Sequence, residues 1–296
     1  MSKGVLYGIV AYGLWGFFPI YWKALQSVSP EEILCHRTIW SLFFLLALLV
    51  YRKRVSSLMS KLNLKIVLVF TLTAAILFVN WYLFIWAVNG GHILDASLGY
   101  FINPLVSVLL GIAFLRERPS RWQWVAIGLV GVAIVILTVG YGVFPWIALV
   151  LAVTFGIYGY LRKVAVLSSL EGLSLEVVML FIPALLFLLY LEKDGRAAFG
   201  HTSALVTFLL VMAGVVTPLP LLFFASAARR ITLMNLGFLQ YISPTCQLIL
   251  GVALYGEKLP QFRAMGFTLV WASLAIYTID VLVARHRVTV CEPAPS

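Results

Sequence analysis

Ten apolar segments of about 20 residues each run through this chain and are joined by short polar connections. A helix of that length spans the ~30 Å hydrocarbon core of a bilayer at 1.5 Å per residue. The segments lack the alternation of apolar and polar residues that strands of a membrane barrel require, so helices are the remaining spanning structure. With 62% hydrophobic and only 11% charged residues, the chain has too little polar surface for a water-soluble globule. We therefore predict a multi-pass helical membrane protein.

The first segment has the outline of a secretory signal, but no small-x-small cleavage site precedes Trp22, so we interpret it as the first span. The predicted spans are 4–25, 32–51, 66–88, 94–115, 122–139, 144–163, 174–191, 203–228, 233–255 and 261–284.

Basic residues predict the orientation of these spans. If the N-terminus is cytoplasmic, 15 of the 21 Lys and Arg residues fall on the cytoplasmic side, which the positive-inside rule favours. Both termini are then cytoplasmic. The formal net charge of +10 is therefore explained by membrane topology, and we expect no nucleic-acid partner. The 15 residues are Lys3, Arg52, Lys53, Arg54, Lys61, Lys65, Arg116, Arg118, Arg121, Arg162, Lys163, Arg229, Arg230, Arg285 and Arg287.

An offset of 140 residues aligns the two halves of the chain. Residues 16–23 lie over 156–163, and residues 95–117 lie over 235–257, with Pro104 on Pro244. Each half holds five spans, and consecutive copies of an odd unit must cross the membrane in opposite directions. The basic loop after the second span becomes a mixed-charge loop after the seventh, which supports this inversion.

We predict an all-α integral membrane fold of ten transmembrane helices in two inverted five-helix repeats. The first repeat is assigned to residues 1–139, the second to 144–284, and a cytoplasmic tail to 285–296. Chance alignment of apolar helices is the alternative, but prolines, glycines and acids coincide at the same offset.

The chain resembles the EamA-domain members of the drug/metabolite transporter superfamily, and among them the RarD-type proteins. The resemblance covers essentially the whole chain. It implies a bacterial inner-membrane carrier whose two halves enclose a path that opens alternately to either side. In the second half Phe155 and Gly159 stand opposite Trp15 and Pro19, so the two halves have diverged. The residues that carry the resemblance are Gly4, Ala11, Tyr12, Trp15, Gly16, Pro19, Tyr21, Trp22 and Lys23 in the first span, Pro30, Glu31, His36 and Arg37 in the second, and the duplicated Asn103, Pro104, Gly111 and Glu117 with Ser243, Pro244, Gly251 and Glu257.

Arg37 is the charged residue inside a span that most needs an explanation, because an ionisable side chain in hydrocarbon costs at least ~2.5 kcal/mol. It could bind an anionic solute or act in gating, extend to the outer interface, or form a structural ion pair. Asp95 precedes the fourth span and is expected to cap it, with proton coupling as the alternative. Asp280 is expected to pair with Arg285 or Arg287 at the inner interface. His92 lacks a second ligand at helical spacing, so no metal site is predicted.

Pro104 and Pro244 lie within the repeat-related fourth and ninth spans, where each removes a backbone donor and frees a carbonyl one turn earlier. They are hinge candidates, with simple packing geometry as the alternative. Broken helices near the bilayer midplane are where carriers bind solutes, so nearby polar and aromatic residues are candidates for the path. These candidates are Trp15, Arg37, Asn80, Trp81, Tyr82, Tyr100, Asn103, Gln240, Tyr241 and Gln247.

The predicted function is secondary transport of a small metabolite or drug-like solute by alternating access. A non-transporting envelope receptor and a membrane enzyme are the alternatives. No phosphate-binding loop, HExxH, CxxC or Ser/His/Asp set is present in the sequence, so we predict no enzymatic activity and no cofactor. The expected partners are the solute and the lipid bilayer, and a homodimer remains open.

Overall fold

The computed structural model describes residues 2–89, 93–142, 144–254, 256 and 259–291. Within these residues ten segments are long and apolar enough to cross a membrane, which confirms the predicted number of spans. Two of the spans are each made of two helices, α9 with α10 and α11 with α12. The short helix α3 is not a span and was not predicted. The helices are α1 (Lys3–Lys23), α2 (Pro30–Tyr51), α3 (Val55–Lys61), α4 (Leu64–Asn89), α5 (Ile93–Leu115), α6 (Arg121–Tyr141), α7 (Trp146–Val164), α8 (Ser169–Lys193), α9 (Ala204–Val216), α10 (Pro218–Ala228), α11 (Leu233–Gln240), α12 (Ile242–Ala253) and α13 (Gln261–Cys291).

Serine caps fix the starts of the two helices that matter most for the site. Ser29 accepts a hydrogen bond from the Glu32 amide at the start of α2, where Pro30 occupies the first turn. Ser168 and Glu171 form a capping box at the start of α8, each side chain bonding the other residue's backbone amide. Both helices therefore begin at a Ser-x-x-Glu sequence.

Helices α2 and α8 run antiparallel. A buried glutamate at the start of α2 contacts the segment after α8, and a buried glutamate at the start of α8 contacts the segment after α2. Glu32 accepts hydrogen bonds from the backbone amides of Ala198 and Phe199, at 2.8 and 3.1 Å. Glu171 accepts one from Ser57 at 2.8 Å and pairs with Lys61 at 3.2 Å. We call these two contacts the Glu32 clamp and the Glu171 clamp. They tie the two ends of the α2–α8 pair together.

The remaining helix contacts agree with the predicted repeat. Helix α5 packs on α7, and the equivalent pair is α12 on α1. In the predicted repeat, α1 corresponds to α7, α2 to α8, and α4 to the pair α9 and α10. Accordingly, α1 packs on α10 and α7 packs on α4, while α2 packs on α9 and α8 packs on α4. Three further contacts join a helix to its own counterpart: α2 to α8, α5 to α11, and α6 to α13. The repeat boundaries 1–139 and 144–284 stay a prediction.

The tail predicted at 285–296 is helical as far as Cys291, because α13 continues beyond the span without interruption. Residues 292–296 lie outside the described part of the chain.

Candidate functional site

Arg37 lies in the third turn of α2, and its guanidinium group contacts side chains from three other helical segments. Its Nε donates a hydrogen bond to Thr217 Oγ1 at 2.9 Å, at the junction of α9 and α10. The guanidinium carbon lies 4.9 Å from the ring centroid of Trp22 and 4.7 Å from that of Trp81. Cation–π contacts on two sides hold the group in place. This geometry directs the charge toward the α9–α10 junction, whereas extension to the outer interface would require it to point away.

Glu176 forms the second charged group in the interior, and it is fully buried in α8. Its Oε1 accepts a hydrogen bond from Thr73 at 2.7 Å and lies 3.5 Å from Arg162 Nη1, while its Oε2 accepts one from Tyr158 at 3.1 Å. Arg162 also donates to the Ser169 carbonyl at 2.9 Å. Gly172 makes room for this arginine, since a Cβ there would lie 2.0 Å from Arg162 Nη1. The carboxylate is therefore paired and hydrogen-bonded within the protein, as buried charges require.

Arg37 and Glu176 occupy equivalent positions in their helices, because each lies eight residues after the serine that caps its helix. Since α2 and α8 are antiparallel, the two residues approach the middle of the bundle from opposite ends, each after ~10 Å of helix. Both line a cavity of about 10 Å³, with room for roughly one water molecule. The described lining residues are Arg37, Thr38, Ser41, Leu77, Trp81, Leu173, Glu176, Val177, Leu180, Thr217, Pro218 and Leu221.

Of the predicted path residues, the structure places Arg37 and Trp81 together at this cavity. Tyr82 lies elsewhere. It is 54% exposed and shares a face of α4 with Leu68, Leu72 and Val79, all of which are exposed. That apolar stripe is the surface expected to face lipid.

The other predicted path residues form separate contacts between helices. Gln247 donates to the Trp15 carbonyl at 3.3 Å, which joins α12 to α1. Asn80 donates to the Leu151 carbonyl and to Thr154 Oγ1, which joins α4 to α7.

The fourth and ninth spans meet through further predicted residues. The Tyr241 hydroxyl donates to the Phe101 carbonyl at 3.0 Å, and Tyr241 is the counterpart of Phe101 at the 140-residue offset. Asn103 is buried, and its side-chain oxygen has no partner among the described residues. Gln240, the last residue of α11, is also buried, whereas Tyr100 is partly exposed and packs edge-on against Phe84.

The two predicted hinge prolines differ in their surroundings. Helix α5 continues through Pro104 from Ile93 to Leu115. In the equivalent span, α11 ends at Gln240 and α12 begins at Ile242. This break lies at Tyr241, about one turn before Pro244. A second interruption, at Thr217 before Pro218, was not predicted. It lies directly beside Arg37.

The acidic residues singled out at helix ends have local partners where they are described. Asp280 accepts hydrogen bonds from Ser120 and Gln123, at 2.8 and 2.9 Å, at the start of α6. Glu117 accepts hydrogen bonds from the amides of Leu233 and Met234 and so caps α11. His92 and Glu257 lie outside the described residues, as do the side chains of Asp95, Arg285 and Arg287.

Comparisons with known proteins identify the relatives of this chain. Residues 2–139 match the model of the EamA-like transporter family. Protein RarD of Streptomyces exfoliatus is 45% identical over 290 residues, which cover 96% of this chain and 90% of that protein. The chain belongs to the EamA-like transporter family.

Other members of the family are similar over the same extent. The uncharacterized transporter YojE of Bacillus subtilis is 42% identical over 94% of both chains, and protein RarD of Escherichia coli K12 is 39% identical over 96% of this chain and 97% of its own. A protein of known crystal structure, 18% identical, superposes with a TM-score of 0.73 over 97% of this chain and 99% of its own. That likeness supports the fold.

Glu176, Arg162 and Thr217 are site residues that the sequence analysis missed. Glu176 lies three residues inside the predicted span 174–191, where an acid is as costly as Arg37. The signal was available, because Ser168 and Glu171 mark the true start of α8 and place Glu176 at the position that Arg37 has in α2. Pro218 and Pro220 could likewise have predicted the break at Thr217.

Proposed function

We propose that this protein is a secondary transporter that moves a small metabolite or drug-like solute through the Arg37–Glu176 cavity by alternating access. The observation that carries the proposal is the origin of the cavity walls. Helices α2 and α4 belong to the first predicted repeat, whereas α8 and the α9–α10 junction belong to the second. A movement of one repeat against the other therefore changes which side of the membrane the cavity faces.

The small volume of the cavity supports this mechanism. A volume of about 10 Å³ admits a water molecule but no metabolite, so helices must separate for a solute to enter. The Glu32 clamp and the Glu171 clamp join α2 and α8 at opposite ends. Release of one clamp while the other holds opens a path to a single side, as alternating access requires.

The proposed location is the bacterial inner membrane, with both termini in the cytoplasm. Support comes from the basic residues of the predicted inner loops and from the bacterial relatives. Reporter fusions after residues 57, 141 and 198 test it, with expected positions inside, outside and outside. An outside signal at residue 57 would reverse the topology.

Relatives named as transporters favour transport over the receptor and enzyme alternatives. The proposal therefore assigns no catalytic reaction to this chain.

Transport is tested with purified protein in liposomes that are loaded with a bacterial metabolite extract, followed by mass spectrometry of the released solutes. At least one solute should leave protein-containing liposomes faster than protein-free ones. Arg196→Gln is a control for the effect of a substitution remote from the cavity. Arg196 and its partner Asp194 are both exposed, so this variant should retain full flux. If no solute crosses the membrane of protein-containing liposomes faster than that of protein-free liposomes, inward or outward, transport through this cavity is refuted.

A further inference from the structure

The charge of Arg37 is not neutralised within the described part of the protein. No carboxylate there lies within 4.0 Å of it, and of its three nitrogens only Nε has a hydrogen-bond acceptor, Thr217. The aromatic rings of Trp22 and Trp81 contact the guanidinium but accept no proton from Nη1 or Nη2. Four N–H donors of a partly buried cation are thus left for another group.

Ser41 is a buried donor without a partner in the same place. It lies one helical turn after Arg37 in α2, lines the same cavity and is only 2% exposed. Its hydroxyl group has no partner among the described residues. The great majority of buried hydroxyl groups in proteins are hydrogen-bonded. An unpaired hydroxyl group beside an unneutralised guanidinium therefore indicates a ligand site.

Glu176 does not supply the missing negative charge, because Arg162, Thr73 and Tyr158 already engage it. With Glu176 and Arg162 offsetting each other, the cavity and its immediate partners carry one surplus positive charge. A monoanion matches that surplus, whereas a dianion exceeds it. The planar fork of a guanidinium fits the two oxygens of a carboxylate.

We infer that Arg37 and Ser41 bind the carboxylate of a monoanionic organic solute, and that its apolar body packs against Trp81, Leu77 and Leu221. This inference rests on the proposed transport function and names its substrate class. Because the cavity is small here, the apolar body enters as α2 and α8 separate, while Arg37 and Ser41 remain neighbours on one helix.

Matched probes test the charge selection on purified protein in detergent. Phenylacetate, neutral phenylacetamide and cationic phenethylamine share one aromatic body. We expect phenylacetate to raise the midpoint of thermal unfolding and the amide at equal concentration to leave it unchanged. Arg37→Gln should abolish this shift, and Arg37→Lys should weaken apparent affinity about tenfold, because an ammonium lacks the bidentate fork.

Ser41→Ala separates binding from structure. It removes an unpaired hydroxyl, so the unfolding midpoint without probe should not fall, whereas the affinity for phenylacetate should drop several-fold. Arg196→Gln, an exposed control, should retain the shift.

The inference is overturned if phenylacetate causes no shift, if the acid and the amide cause equal shifts, or if the shift is undiminished in Arg37→Gln. A shift with phenethylamine that Glu176→Gln removes would assign the cavity to cations and also overturn it. Failure of the transport proposal looks different. If phenylacetate binds but no solute is transported, the anion site is retained and transport is refuted. If only neutral or cationic solutes are transported, transport is retained and the anion site is refuted.

Discussion

The surroundings of Arg37 and Glu176 differ in one essential respect, although the two residues hold equivalent positions in α2 and α8. Thr73 and Thr217 are the hydroxyl partners of the two charges. However, Arg162, which lies 140 residues after Trp22, pairs with Glu176, whereas Trp22 itself contacts Arg37. One charge is neutralised by the protein, whereas the other has a hydroxyl partner and aromatic contacts but no carboxylate partner among the described residues. We propose that the two halves share a framework but divide its roles: the Glu176 group stabilises the bundle, and the Arg37 group binds the solute.

The largest expected effect is on stability, in the Glu176 group. Glu176→Gln or Arg162→Gln alone leaves a buried charge without its partner and should lower the free energy of unfolding by ~3–5 kcal/mol. Thermal unfolding in detergent measures this. The double variant Glu176→Gln with Arg162→Met should be less destabilised than the sum of the single variants. Single variants as stable as the wild type would show that the pair is not structural.

The two threonines give a smaller and graded effect. Thr73→Val removes a hydrogen bond to a carboxylate and should cost ~1.5–3 kcal/mol of unfolding free energy. Thr217→Val removes the acceptor of Arg37 Nε and should cost ~1 kcal/mol, but it should also lower the apparent affinity for solute several-fold because Arg37 loses its orientation. Equal effects of both variants on stability and affinity would contradict the division of roles.

Loss of either clamp should cost ~1 kcal/mol of stability, but only loss of the Glu32 clamp should change access from the outer side. Glu32→Gln weakens the contact to Ala198 and Phe199, so a maleimide added from the predicted outer side should label Cys35, one turn away, faster. Glu171→Gln should leave that labelling unchanged. A Cys246→Ser, Cys291→Ser background isolates Cys35. If both variants accelerate labelling equally, the clamps do not act separately.

Arg37→Gln should have the smallest effect on stability, below ~1 kcal/mol. The lost cation–π contacts are offset because an unneutralised charge no longer lies in apolar surroundings. The unfolding midpoints of Arg37→Gln and Glu176→Gln, measured side by side, test the difference between the two groups directly. A loss of stability as large as that of Glu176→Gln would mean that Arg37 has a structural partner.

Hydropathy and charge predicted the ten spans closely, because the length of an apolar segment is set by the bilayer and not by tertiary contacts. The predicted span begins at 174, whereas α8 begins at Ser169, because the capping box of Ser168 and Glu171 extends the helix beyond its apolar part. Arg37 was found because a lone charge in an apolar span is visible in one dimension. Its partner Thr217 lies 180 residues away, and the link between Glu171 and Lys61 spans 110 residues. Such pairings follow from packing, which periodicity does not encode.

The cap that Glu117 provides for α11 has a consequence for how the protein is made. Glu117 and the Leu233 amide are separated by 116 residues, so the ribosome finishes the entire first repeat long before the partner of this carboxylate exists. Until then Glu117 depends on water or headgroups, and α11 later enters the membrane beside a carboxylate that is already in position. We therefore expect that the two predicted repeats do not fold independently. Co-expression of separate halves should yield stable protein only when both are inserted together, and the first half alone should be a substrate for membrane proteases.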